Sequence, residues 1–208
     1  MTTETLLAFA AATILFAYLP GPALLYTAAQ TIARGRQAGF MAAAGIHLGC
    51  YVHVLAATFG LSAIFAAVPT LYVGLKLAGG AYLVFLGIQM IRTRVAAGPM
   101  PDLPRKSARR AFADSVLVEI LNPKVAVFFI AFLPQFVSPD AGLPIWAQFL
   151  VLGTIVNFAF TSADVVTVMF ASEVKKRLTR ASRFQDLTRW LGGSLLVALG
   201  LKLATDRA

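Results

Sequence analysis

The sequence is short of charge. Of its 208 residues only 13% are Asp, Glu, Lys or Arg, while 59% are apolar and the mean hydropathy is +0.78. A soluble domain carries about a quarter charged residues and under half apolar ones, so this chain is not an ordinary soluble enzyme. It is equally unlike a disordered chain, which stays solvated through low hydrophobicity and high charge. Cysteine is scarcer still. The single Cys50 cannot close an intramolecular disulfide and has no metal-ligand spacing around it, which excludes a disulfide-stapled secreted domain and a thiol relay. It lies in an apolar stretch and reads as a small packing residue. Catalytic signatures are missing too: there is no His-Glu-x-x-His, no Ser-His-Asp set in a loop and no glycine-rich phosphate loop closed by Lys-Ser or Lys-Thr. No cofactor, no metal and no enzymatic activity are expected. Transport without a nucleotide site has to run on an ion gradient or by facilitated diffusion.

What the sequence does have is long apolar runs. Stretches at about 5–32, 40–68, 71–91, 111–137, 144–171 and 187–204 come near or exceed the roughly 20 residues a membrane-crossing helix needs, the last being the shortest. The expectation is one transmembrane domain over 1–208, an all-α integral membrane protein of six spans with the lipid bilayer as its solvent. The first basic residue is Arg34, so the first run lacks the positive n-region of a signal peptide and is expected to be retained.

The net charge is +9, from 18 basic and 9 acidic residues. Fourteen of the 18 basic residues fall after spans 1, 3 and 5: Arg34 and Arg36; Arg92, Arg94, Arg105, Lys106, Arg109 and Arg110; Lys175, Lys176, Arg177, Arg180, Arg183 and Arg189. Basic loops stay cytoplasmic, so both termini are expected outside. The surplus is thus a topology signal. No aromatic-interleaved basic patch or recognition helix accompanies it, and no nucleic-acid partner is expected. Trp146, Tyr72 and Trp190 fall near span ends, where interfacial aromatic belts form. Gly45 and Gly49 make a Gly-x-x-x-Gly pair in span 2, which serves close helix packing inside the bundle or at a homodimer contact.

Two spans are interrupted. Span 1 reads Leu19-Pro20-Gly21-Pro22 and span 4 reads Leu121-Asn122-Pro123-Lys124, each near the middle of its run. Proline removes a backbone donor and drives its predecessor out of helical geometry. A broken helix at membrane depth survives only where protein or a water-filled cavity satisfies the freed groups. Either break alone is equally well a proline kink. Together they stand at the start of two three-span halves, and an odd number of spans per half gives the halves opposite orientation. Paired interrupted spans in two inverted repeats mark a transporter's binding site. Pro22 suits the first turn of a restarting half-helix, whose free N–H groups attract a carboxylate.

Phe16-x-x-Leu19-Pro20-Gly21-Pro22, the glycine-bearing stretch 35–49, and Leu121-Asn122-Pro123-Lys124 through Phe128-Phe129 to Leu133-Pro134-Gln135-Phe136 resemble the LysE/RhtB family of bacterial amino-acid exporters over essentially the whole chain. The resemblance implies an inner-membrane exporter of amino acids or close relatives, coupled to the proton motive force.

Ionisable residues inside a span are functional candidates because each is costly in lipid. Asn157, Thr161 and Asp164 share a helix face in span 5, which is expected to point into the bundle. Glu119 precedes the second break and Lys124 follows it, inviting an ion pair between Lys124 and one of the two acids. The candidate substrate site comprises Pro20, Gly21, Pro22, Asn122, Pro123, Lys124, Asn157 and Thr161. Glu119 and Asp164 are the candidates for binding the ammonium or carrying the coupled proton, with structural neutralisation as their bland alternative. Asp114 reads as an interface residue or a partner of Arg109 or Arg110. His47 and His53, six apart, do not share a face and read as satisfied bundle histidines rather than a proton relay. Lys76 reads as snorkelling to the outer surface, and Gln135 as packing or lining an outer vestibule. The function expected is secondary export of amino acids or closely related small metabolites from the cytoplasm by proton antiport, the cargo class and the coupling being what the resemblance implies. The alternatives are export of another zwitterionic or cationic metabolite, or a non-transport membrane enzyme or assembly protein.

Overall fold

The computed structural model describes residues 3–92, 108–171 and 190–201 apart from 195 and 199, and within them the chain is helical with no strand. The helices are α1 (Thr3–Tyr18), α2 (Pro22–Arg34), α3 (Arg36–Leu55), α4 (Ser62–Ala67), α5 (Pro69–Arg92), α6 (Ala108–Ile120), α7 (Pro123–Val127) and α8 (Ile145–Met169). Two π-helical turns, Ala56–Leu61 and Phe128–Phe132, carry on from α3 and α7, and a 3₁₀ turn closes the latter run at Leu133–Phe136.

Among the described residues three continuous runs are long and apolar enough to cross a membrane: Arg36–Phe65, Arg109–Phe136 and Ile145–Met169. A fourth forms if α1 and α2, bent by 46° at the first break, make one span. The expected third span coincides with α5. Much of the expected sixth lies outside the described residues, as do Arg94, Arg105, Lys106, the basic run 175–189, Lys202 and Arg207.

Each break has a local cause. Pro20 and Pro22 supply no N–H, so the last backbone bond of the first half runs from Leu19 N to Leu15 O at 3.2 Å. Extended Gly21 (φ −139°, ψ 177°) then caps α2, with Pro22 at its first position. The second break differs in having a side-chain cap. Pro123 holds Asn122 extended (φ −74°, ψ 106°), and the Asn122 side chain accepts from the Lys124 backbone N–H. Between α2 and α3 one residue makes the turn, Gly35 at φ +86°, where a side chain would be strained.

The core packs around α8, whose buried face runs through Phe149, Leu152, Gly153, Val156, Asn157, Phe160, Ala163, Asp164 and Val168 at helical spacing. Phe9, Phe16, Phe128, Phe132, Phe136 and Phe160 form a chain of ring contacts through the bundle. The Gly45–Gly49 pair faces α6. A Cβ on Gly49 would lie 2.7 Å from the Val116 carbonyl, and one on Gly45 would press on Ser115 and lie 2.6 Å from the Phe112 carbonyl. The pair therefore serves packing inside the bundle and is used up as a dimer face. Small residues also join α5 to the segment 190–201. Gly87 would meet the Gly193 carbonyl, and Gly200 the Gly80 carbonyl, the antiparallel pairing of two seven-residue glycine spacings.

Candidate functional site

The two breaks face each other. Lys124, on the second, donates from Nζ to the backbone carbonyl of Leu19, on the first, at 2.6 Å. Its ammonium also lies 5.2 Å from the Phe16 ring centre and 5.6 Å from that of Phe160. Its stem passes over Gly21, where a Cβ would sit 2.7 Å from Lys124 Cδ. The lysine thus satisfies a carbonyl that the Pro-Gly-Pro break deprives of a helical donor. The ion pair invited by the sequence is not the contact formed: the hydrogen bond of Lys124 Nζ goes to this carbonyl, and the two acids act on it only through space.

Both acids are buried and hydrogen-bonded. Glu119 (1% exposed) accepts from Asn122 Nδ2 at 2.9 Å through Oε2, so Asn122 caps α7 with its oxygen and holds Glu119 with its nitrogen. Asp164 (3% exposed) accepts from the Thr27 hydroxyl at 3.1 Å. Cys50, buried on α3, lies beside Glu119. A cavity of about 20 Å³ collects these groups: Gly21, Ala23, Glu119, Asn122, Lys124, Phe160 and Asp164 are on its wall. That is room for about one water molecule, less than an amino acid needs. Among the described residues no three His, Cys, Asp or Glu side chains gather as a metal site.

Gly21, Asn122, Lys124, Glu119 and Asp164 of the sequence candidates meet here. Pro20, Pro22 and Pro123 have exposed side chains and act on the backbone alone. Asn157 and Thr161 sit on the interior face of α8 as expected, yet outside this wall, and engage His47. Asn157 Nδ2 donates to the His47 carbonyl at 3.1 Å. Thr161 gives its hydroxyl proton to the Asn157 carbonyl, so it accepts from His47 Nδ1 at 2.7 Å. His53 turns the other way and donates from Nε2 to the Glu119 carbonyl at 2.9 Å. The two histidines are thus satisfied separately, on α8 and α6. Asn157 Oδ1 is buried without a partner, as is Gln30 Oε1 on α2.

Thr27, Phe16 and Phe160 were not marked as site residues by the sequence. Thr27, Gln30 and Thr31 are buried polar residues clustered on a half-helix whose one charge is the terminal Arg34, and counting polar as well as charged residues would have drawn attention to them. At one end of the bundle the Arg36 guanidinium donates to the Met169 carbonyl at 3.3 Å. Elsewhere Gln148 clamps the loop before α8, bonding the backbone of Ser138 and Leu143, beside a groove of about 520 Å³ lined by Gln135, Ser138 and Asp140 among others. Gln135 does line this groove.

The family model for LysE type translocators matches residues 14–207. Among characterised and uncharacterised relatives, a membrane protein of Pseudomonas aeruginosa is 34% identical over 196 residues, 90% of this chain and 88% of its own. The homoserine/homoserine lactone efflux protein of Salmonella typhimurium is 30% identical over 100% of this chain and 99% of its own. The threonine efflux protein of Escherichia coli is 26% identical over 90% of this chain and 91% of its own. No solved structure matches.

Proposed function

Since the chain belongs to the LysE type translocator family, we propose that it is a secondary exporter carrying small amino acids out of the cytoplasm. The observation that carries this reading is the meeting of the two broken segments at one polar cavity with two buried acids and one lysine. Structural charges have no need of a cavity, and simple kinks have no need to face one another. Relatives named for efflux of homoserine and threonine support a small amino acid as cargo.

In this reading six spans form two inverted three-helix repeats in a bacterial inner membrane, with basic loops cytoplasmic and both termini outside. The backbone N–H groups of Ala23 and Leu24, which precede the first helical bond of α2 from Leu25 N to Gly21 O, receive the substrate carboxylate. Glu119 and Asp164 receive the ammonium or carry the proton exchanged for it. Pro20, Pro22 and Pro123 keep the helices broken, and Asn122 fixes Glu119. Asn157 and Thr161 hold His47 beside α8 and line the path once the halves part. The small cavity corresponds to a closed stage of alternating access, and the groove beside Gln135 to an outer vestibule.

The test is efflux of labelled L-threonine and L-homoserine from loaded cells. Asp164→Asn and Lys124→Ala, each with normal membrane insertion, are expected to lower efflux by about tenfold or more, the equivalent of one lost charged hydrogen bond. Unchanged flux in both variants refutes the site. Efflux that persists in full after an uncoupler collapses the proton gradient refutes the antiport.

A further inference from the structure

The place where the Lys124 ammonium rests has the makings of a ligand site. It offers one backbone carbonyl, Leu19 O at 2.6 Å, and two ring faces, Phe16 and Phe160 at 5.2 and 5.6 Å. A carbonyl with two aromatic faces is what recognises a primary ammonium: one directed hydrogen bond and quadrupole attraction for the charge. The carbonyl is available only because the span is broken. The approach is shaped as well, since Gly21 leaves a channel that a Cβ would close at 2.7 Å from Lys124 Cδ. The seat opens on the cavity whose wall carries Glu119 and Asp164.

A lysine kept only to neutralise the two acids would place its nitrogen on one of them. Here Nζ bonds a neutral carbonyl, while Glu119 accepts from Asn122 and Asp164 from Thr27. The cation therefore occupies a position that any alkylammonium reaching the cavity could fill equally well, and it is tethered there by a flexible stem. The lysine belongs to the second broken segment and the seat to the first.

We infer that the Leu19 carbonyl with the Phe16 and Phe160 faces is the ammonium subsite of the transporter, and that Lys124 is its tethered occupant, displaced when a substrate ammonium takes the seat. This inference rests on the exporter reading above and deepens it. Glu119 and Asp164 then serve the displaced lysine and the coupled proton. The lysine keeps the two broken segments bridged whenever no substrate does so, which closes the empty carrier against leakage. A ligand lacking a free ammonium, such as an N-acylated amino acid, has no means of displacing it.

The experiment uses the purified full chain in detergent and thermal unfolding as the readout, with n-butylammonium as probe and n-butanol as its uncharged control. Lys124→Ala, which empties the seat and the stem channel, is expected to unfold below the wild type. Its melting temperature should then rise saturably with n-butylammonium and not with n-butanol, while the wild type, in which the tethered lysine competes for the seat, responds only at much higher n-butylammonium concentration. If the alanine variant does not fold, Lys124→Met with methylammonium repeats the test with the stem retained. A folded variant that ignores the probe overturns the inference, and so does an equal response in variant and wild type, which makes the effect one of detergent or surface. The readout needs no transport. A chain that exports neither L-threonine nor L-homoserine yet shows the seat would refute the exporter reading alone, and a chain that exports but lacks the probe response would refute the subsite alone.

Discussion

Replacing Gly21 with Ala tests the contact between the two breaks without altering any charge. Gly21 is extended, at φ −139° and ψ 177°, so alanine meets no backbone strain there. Alanine stabilises by restricting the unfolded chain, by about 0.4–1 kcal/mol, and costs a comparable amount as a poorer N-cap than glycine. These two terms nearly offset. What remains is the new methyl group, 2.7 Å from Lys124 Cδ, well inside the 3.5–4.0 Å at which carbon atoms attract. The stem has to move by about 1 Å, and its ammonium is held at the far end by a 2.6 Å bond. Losing that bond costs about 1.5–3 kcal/mol, and weakening the ring contacts adds about 0.5–1 kcal/mol. The expected destabilisation is about 2–4 kcal/mol, a fall of roughly 4–16 °C in melting temperature for a chain of this size. The decisive comparison is a double-mutant cycle. In a Lys124→Ala background no Cδ remains to collide with, and Gly21→Ala should cost no more than about 0.5 kcal/mol. Thermal melts of the four proteins in one detergent measure this. An equal fall in both backgrounds would mean that Gly21 acts through the backbone alone and that the bridge across the breaks is not what it protects.

Two further outcomes follow from the packing. Gly49→Leu should abolish folded yield in detergent, because the Val116 carbonyl at 2.7 Å and Glu119 Cβ at 2.9 Å leave α3 and α6 no way to accommodate a side chain, whereas Gly60→Ala, in a helical turn with nothing within 4 Å, should keep full yield and melt no lower than the wild type. Pro20→Ala with Pro22→Ala returns two N–H donors and should straighten the 46° bend between α1 and α2; membrane insertion is expected to persist while the proposed export is lost, and normal export in this double variant would reduce the motif to a kink.

The all-helical fold and the spans at Arg36–Phe65, Arg109–Phe136 and Ile145–Met169 were legible because apolar runs and proline breaks are written in residue types. Asp164 was legible for the same reason, as a lone acid at helical spacing from Asn157 and Thr161, and it is buried as that spacing implies. Contacts with the main chain were not legible. Nothing in a sequence marks the Leu19 carbonyl as an acceptor, so charge pairing looked like the natural use of Lys124. The Gly45–Gly49 motif stated that something packs closely without stating what, and only the proximity of Phe112 and Val116 identifies α6. The prolines drew attention as site residues, though their rings face away and their effect lies in the donors they lack. The seven-residue spacings Gly80–Gly87 and Gly193–Gly200 were present to be read and were passed over, because a glycine-rich apolar chain offers many such pairs by chance.

The two breaks are unequal, and the inequality is what joins them. The second closes on itself: Asn122 turns its oxygen to the Lys124 N–H and its nitrogen to Glu119. The first has a glycine at its cap with no side-chain hydrogen bond, so its freed carbonyl is completed from outside, by Lys124. Asn-Pro-Lys therefore divides its labour. Asparagine stabilises its own half-helix, proline keeps that helix interrupted, and lysine reaches across to the other half. A bridge of this kind resists separation of the halves in proportion to one charged hydrogen bond and two ring contacts, a few kcal/mol at most. That is weak enough for a substrate making the same contacts to replace it. A covalent or fully apolar junction would hold the two segments together as well, but a ligand ammonium could not replace it contact for contact, which is the exchange that the proposed subsite requires.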